Sequence, residues 1–276
     1  MVCDLCNNIE YRELLKISSK KDYNSPKKTR EDYTIVECNN CGLVFVKENV
    51  DENEIKDIYS KGYYTGRDER GYKNYIKKHS NTFLNKISKL SRRFKGNPTK
   101  DIHLINRYVK HKGKLLEIGC AAGFFLQEAK KNGWDVTGVE ISDFASNFAK
   151  DELNLNVYNG KIEEIINSRK LKKDQFDVVT LWDTLEHIAK PSSLLKSVNF
   201  LLKINGILFF STLNIDSTEY INNGKNWKYF RPPKHLFYFS ESTIKKYLEK
   251  YGFDIIYKND FKNEIVVVGA KKISNL

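Results

Sequence analysis

The sequence predicts an α/β fold: a parallel sheet with helices on both faces, closed by an antiparallel strand and preceded by a small cysteine-rich unit. Three observations carry this. From Lys114 onward, short apolar runs alternate with helix-periodic stretches, the pattern of strand–helix–strand crossovers. The last of these runs form a strand–turn–strand, which needs an antiparallel member. Four of the five cysteines stand in the first fifty residues, as two C-x2-C pairs.

The cysteine-rich unit comes first. Cys3 and Cys6 form one pair, Cys38 and Cys41 the other, with 31 residues between them. Two thiolate pairs at this spacing complete a closed, tetrahedral Zn²⁺ site of the structural kind. Asn7 and Gly42 follow the two pairs and tolerate positive φ, which turns backbone N–H groups toward sulfur. Two unrelated pairs or a redox dithiol are the alternatives, but no thioredoxin-like βαβ pattern surrounds either pair.

Residues 51–68 follow, with Asp51 as a candidate helix cap and a tyrosine-rich turn at Tyr63-Tyr64. Over 71–95, Tyr72, Tyr75, Ile76, His79, Phe83, Ile87, Leu90 and Phe94 recur at spacings of three and four, with Lys and Arg on the opposite face. That helix is either packed on the main domain with a solvated basic face, or a basic lid that meets an anionic partner. Gly96-Asn97-Pro98 ends it. The expected division is a zinc-binding unit over 1–50, a helical basic linker or lid over 51–98, and the α/β domain over 99–276.

In that domain, strands are expected at 114–119, 135–139, 156–158, 176–181, 206–212, 254–257 and 265–268. Helices are expected at 124–132, 144–153, 162–168, 192–202 and 244–251.

Composition narrows the function. An apolar fraction of 40% can fill a core, so global disorder is excluded. No apolar run nears the roughly 20 residues that span a bilayer. The start, MVCDLCNNIE, does not read as a secretory signal, and five cysteines are too few for a disulfide scaffold; a cytoplasmic location is expected. The net charge of +12 is concentrated: residues 70–112 hold thirteen Lys/Arg against one acid, Asp101. Such a segment attracts phosphate, nucleic acid or acidic lipid, so peripheral membrane contact stays open.

Ligands of open α/β sheets bind at the carboxyl ends of the strands, where strand order reverses. The first strand of the domain runs into Glu117-Ile118-Gly119-Cys120-Ala121-Ala122-Gly123, and its glycines let a ligand approach the backbone. The second ends in Val139-Glu140, a carboxylate suited to ribose hydroxyls. The spacing G-x-G-x-x-G is absent, so a nucleoside site is expected without a demand for pyrophosphate.

The motifs LLEIGCAAGFFLQEA, VTGVEIS, FDVVTLWDTLEHI and LLKINGILFFSTLN, in that order, resemble those of class I S-adenosylmethionine-dependent methyltransferases over residues 112–270. The double C-x2-C with CGLVF and IYSKGYY, and the later WKYFRPPKHLFYFS and YLEKYGF, are similar to methyltransferases with a zinc-binding extension, among them sugar C-methyltransferases and enzymes assigned to polysaccharide or natural-product pathways. The resemblance implies a Rossmann-like seven-stranded sheet. It implies S-adenosylmethionine near Glu117, Gly119, Cys120, Ala121 and Gly123, its ribose on Glu140 and its adenine on Ile141 and the Lys161-Ile162 turn. Lys161 departs from the acid often found there, and Ala121 from the usual middle glycine. Cys120 is expected as a small packing residue of that turn.

Trp182 either walls the cofactor pocket or packs in the core. For Asp183, Glu186 and His187 the resemblance implies one of two readings: a loop tied by hydrogen bonds, as in most such methyltransferases, or, with His235, ligands of a divalent metal, as in a few of them, although Mg²⁺ prefers more oxygen donors. His235 is the candidate base, with Asp183 and His187 beside the transfer point; a hydrogen-bonded loop histidine is its alternative. Tyr63, Tyr64, Trp227, Tyr229 and Arg231 are the candidate acceptor pocket, Arg231 as partner for a phosphate or carboxylate. The expected acceptor is a small anionic molecule such as a sugar or glycan precursor. An RNA or tRNA acceptor held by the basic segment, and a module that keeps the fold without turnover, are the competing readings. The sequence leaves the oligomeric state open.

Overall fold

The computed structural model describes residues 2–18, 32–50, 52–65 and 98–276. The helix expected over 71–95 lies outside them. Two sheets organise the described residues. The larger has seven strands, β4 (Lys114–Ile118), β5 (Asp135–Glu140), β6 (Val157–Asn159), β7 (Phe176–Leu181), β8 (Leu202–Leu213), β10 (Phe253–Lys258) and β11 (Ile265–Lys272), in the order β10-β11-β8-β7-β4-β5-β6. Strands β6, β5, β4, β7 and β8 are parallel, and β11 is antiparallel to both β8 and β10. The chain leaves β4 toward β5 and β6, then returns to β4's other side as β7 and β8. The order therefore reverses at β4, and a crevice opens at its carboxyl end.

Strand alternation splits the interior into two apolar layers. Leu115, Val178, Ile207 and Phe209 face one, with α3 (Pro98–Asn106) and α4 (Phe124–Lys131) packed over them. Leu116, Val179, Leu208 and Phe210 face the other. Neighbours along a strand point to opposite faces, so these central strands read as unbroken apolar runs. The remaining helices of the domain are α5 (Asp143–Asp151), α6 (Ile162–Asn167), α7 (Pro191–Leu201), α8 (Thr218–Asn223) and α9 (Glu241–Lys250).

The second sheet is antiparallel, in the order β1 (Tyr11–Ser18), β2 (Asp32–Cys38), β3 (Val44–Val46), β9 (Phe237–Tyr238). Its last strand comes from the far end of the chain, which the sequence did not reveal. Phe45 stacks on Phe237 with ring centroids 6.2 Å apart, and Tyr33, Ile35 and Val44 join the same apolar layer as Leu116 and Phe210. The cysteine-rich unit is thus packed into the main core. Two short helices, α1 (Glu52–Ile58) and α2 (Lys61–Thr65), then lead over the crevice.

Candidate functional site

A cavity of about 1090 Å³ opens at the reversal point. Its floor is the turn after β4. Gly119 and Gly123 adopt φ of 76° and 81°, and Ala121 follows them into the left-handed region at 48°. A Cβ on Gly119 would stand 2.6 Å from the Thr184 hydroxyl, so only glycine fits beneath that loop. Ala121 takes the strained conformation because its N–H, 2.8 Å from Oε2 of Glu140, is held there.

Glu140 ends β5, buried. Its other oxygen accepts the Ser142 N–H at 2.8 Å. Burial pushes its pKa up, and the N–H groups of Ser142, Ala121 and Ile141 pull it back. Each oxygen keeps a second lone pair for a ligand hydroxyl. Ser142 also caps α5 and donates its hydroxyl to the Tyr59 carbonyl at 2.6 Å, which ties the roof to the floor.

Glu117 is buried, and its Oε2 has no hydrogen-bond partner among the described residues. Burial first, then the charges of Glu140 and Asp101, hold its pKa well above the usual carboxylate range. A buried carboxyl oxygen without a partner is costly unless a ligand donor meets it. The cradle of Gly119, the two carboxyls and the Gly160–Ile162 turn fit an adenosine bearing a cationic amino-acid arm. Cys120 packs in the core beneath, its thiol pushed well up by burial and by Glu117 and Glu140, so a nucleophilic thiolate is disfavoured there. Trp182 lines the cavity with its ring edge on Phe125, centroids 5.6 Å apart, and its indole N–H is buried without a partner among the described residues.

The opposite wall comes from distant segments. Asp183 adopts φ of 47°; Ser211 accepts its N–H at 2.8 Å and donates to its Oδ1 at 2.7 Å. His187 and His235 lie with ring centroids 5.0 Å apart. His187 donates Nδ1–H to the Lys234 carbonyl, and His235 donates its own to the Tyr229 carbonyl at 2.7 Å, which leaves the His235 lone pair on Nε2. Burial and the nearby His187 hold His235 well below its ordinary pKa; Lys234 and Arg231 add to this, and the Tyr229 carbonyl opposes it. Tyr63 and Tyr64 roof the cavity, and the Lys234 ammonium lies 4.8 Å above the Tyr63 ring. Tyr229 and Arg231 line it, with Arg231 exposed and its Nε donating to Lys228.

Trp227 is a correction. It does not line the cavity but is buried among Tyr220, Tyr229 and Phe230, its indole N–H donating to Glu264 at 3.2 Å. Its aromatic neighbours in sequence mark a small core rather than a pocket. The divalent-metal reading of Asp183, Glu186, His187 and His235 also fails to find its geometry. Thr212 donates to Glu186 at 2.9 Å, Glu186's carbonyl accepts from Leu236, and among the described residues only the four N-terminal cysteines converge as three or more metal-ligating groups. The Glu186-His187 pair ties two loops together.

Those cysteines bring their sulfurs within 4.8 Å of one another. The two turns match bond for bond. Cys3 N–H donates to Asn8 and Asn7 N–H to Cys3; Cys38 N–H donates to Leu43 and Gly42 N–H to Cys38. Asn7 and Gly42 have φ of 61° and 78°, the conformation expected from the sequence. Burial pushes the Cys3 thiol well up and the Cys41 thiol up to about 11; for Cys38 burial works upward too, but the N–H groups of Cys41 and Asn40 and the Cys6 thiol outweigh it and lower the pKa to about 6. Four convergent sulfurs with N–H donors around them suit Zn²⁺.

Sequence reasoning missed Ser142, Ser211 and Lys234. Ser142 had a legible signal, a capping serine directly before a helix-periodic stretch. Ser211 and Lys234 had none, since their roles depend on contacts between distant segments.

Comparison with known proteins decides the family. A family profile described as a methyltransferase domain matches residues 87–258, more than half of the chain. The chain belongs to this methyltransferase-domain family. It is 34% identical over 131 residues to a ubiquinone biosynthesis O-methyltransferase of Actinobacillus pleuropneumoniae, covering 42% of this chain and 56% of that protein. It is 35% identical over 136 residues to the Coxiella burnetii protein of the same name, covering 44% and 56%. The matched part thus spans little more than half the length of these curated relatives. A crystal structure of an S-adenosylmethionine-dependent methyltransferase from Archaeoglobus fulgidus aligns with a TM-score of 0.52 and 21% identity, over 69% of this chain and 99% of that one. The methyltransferase domain therefore has the Rossmann-like fold of that group. No helix among the described residues is long and apolar enough to cross a membrane.

Proposed function

We propose that this methyltransferase domain moves a methyl group from S-adenosylmethionine to a small acceptor that carries an anionic group. The observation that carries the reading is the pair of buried carboxyls at the reversal point. Glu140 orders the Gly-rich turn and has lone pairs left for a ribose, while Glu117 keeps an oxygen for the cofactor's ammonium group. When bound, the cofactor supplies an electrophilic methyl on a sulfonium. The protein's share is alignment, a dry cavity and a place for the acceptor's proton.

His235 is that place. It is neutral at pH 7, and its Nε2 can take a proton from an acceptor hydroxyl as the bond forms. Ser211 fixes Asp183, which faces the acceptor. Leu213, Ile265 and Val267 offer an apolar wall, and Arg231 and Lys234 add positive charge beside it. A ring with an apolar face and an attached phosphate or carboxylate suits this lining. A sugar or glycan precursor meets it, and so does a precursor of ubiquinone, the compound named in the curated relatives' description.

The four N-terminal thiols hold one structural Zn²⁺ in this reading, and the chain divides into the zinc unit, the basic linker and the methyltransferase domain. The test is to incubate the purified protein with methyl-labelled cofactor and either cell metabolites or total RNA. Label in a small anionic molecule, heavier by one methylene, is the expected result. Label confined to RNA would move the acceptor to nucleic acid, bound through the basic 70–112 segment.

A further inference from the structure

Asp4 sits inside the first cysteine turn, and its carboxylate is held by two residues of the main domain. The Ser192 N–H donates to its Oδ2 at 2.8 Å, the Ser192 hydroxyl to its Oδ1 at 2.7 Å, and the Tyr247 hydroxyl of α9 to its Oδ2 at 2.9 Å. Ser192 is the second residue of α7. The first four N–H groups of a helix lack partners within it. At the head of α7, Lys190 gives no side-chain cap and Pro191 has no N–H. Ser192 is the first donor that needs an acceptor, and one arrives from a residue 188 positions earlier. The negative charge also suits the positive end of the helix dipole.

The same helix turn borders the cavity. Lys190, Ser193 and Leu194 line it, and the Ser193 hydroxyl donates to Glu163 Oε1 at 3.0 Å. Glu163 stands in the first turn of α6, next to Ile162 on the expected adenine side. Two lysines of α9 add to the bolt: Lys246 donates to the Cys41 carbonyl at 3.0 Å and Lys250 to the Leu5 carbonyl.

We propose that Asp4 is a positioning residue that links the four-thiol site to the cavity, by capping α7 and so fixing the wall formed by the first turns of α7 and α6. The inference rests on the zinc and cofactor readings above. Metal bound at the thiols holds the turn that carries Asp4; Asp4 holds Ser192; Ser193 holds Glu163. Zinc loading and cofactor binding are therefore coupled, and by linkage each strengthens the other.

The experiment uses the full chain with zinc and after chelation, reading amide exchange over residues 192–195 and the affinity for S-adenosylhomocysteine by calorimetry. Chelation should speed exchange at these amides and weaken affinity by about fivefold, the ordinary worth of one helix cap. Asp4→Ala with its zinc retained should show the same two changes, and chelating that variant should add nothing at these amides. Asp4→Asn, which keeps one acceptor oxygen, should recover part of the protection. Asp4→Ala that holds zinc with wild-type exchange and affinity would overturn the link, and so would chelated wild type with 192–195 still protected. Should Asp4→Ala lose its metal, Ser192→Ala removes one of the three bonds and must still speed exchange; unchanged exchange there refutes the link. Metal-dependent exchange without any cofactor binding supports the link and overturns the proposed function instead.

Discussion

One wall of the cavity is built from a single stretch: residues 117–142 supply Glu117, the Gly119–Ala121 turn and Glu140, with the Ser142 N–H holding Glu140. The other wall collects Tyr63 from α2, Asp183 from the end of β7, Ser211 from β8 and the Tyr229–His235 loop. The first is backbone and buried carboxyl, with acids whose pKa values are raised. The second is aromatic and imidazole, with a histidine whose pKa is lowered. In the proposed reading the difference separates two tasks. A shared cofactor can be held by local turns, whereas an acceptor is met by side chains brought together by tertiary structure.

Breaking the first wall should have the largest effect. Glu140→Ala removes the acceptor of two loop N–H groups as well as the proposed ribose partner. We expect cofactor affinity to fall about a hundredfold, roughly 3 kcal/mol, measured by calorimetry. Next, Gly119→Ala places a Cβ against Thr184 at a φ of 76°. A loss of about 2 kcal/mol in denaturant melts is expected, partly restored when Thr184 becomes Gly.

Two smaller predictions set the walls against each other through pH. Glu117 has a raised folded pKa. The native state thus holds a proton that the unfolded chain has released above about pH 4.3, and stability is lost as pH rises. Glu117→Gln should raise the melting temperature of the unliganded protein at pH 8 by roughly 2–4 °C, while weakening cofactor binding about tenfold. His235 has a lowered folded pKa. The unfolded chain takes a proton below about pH 6.5 that the native state refuses, so stability falls as pH drops. His235→Gln should flatten the acid side of the stability profile and leave the alkaline side alone. A change on the alkaline side would show that His235 is not the neutral, buried group described here.

The same contrast explains what the sequence made legible. Strand–helix alternation reported every strand of the large sheet, because central parallel strands are apolar on both faces and short turns separate them. The turn after β4 and Glu140 were readable because their chemistry is local. The two cysteine turns were readable down to the backbone of Asn7 and Gly42. Trp227 was misplaced, because an aromatic cluster looks alike in a core and in a pocket until its neighbours are known. The pairing of Phe237–Tyr238 with β3, the Ser211 clamp on Asp183 and the Asp4 cap on α7 join residues between 28 and 194 positions apart, and no periodicity records such contacts.

The most direct test of the central claim is a crystal structure of the protein grown with S-adenosylhomocysteine. The account predicts ribose hydroxyls on Glu140, the amino group against Glu117 and the sulfur directed toward Asp183. An adenosine bound outside the crevice between Gly119 and Glu140, or a crevice filled by other parts of the chain, would contradict it.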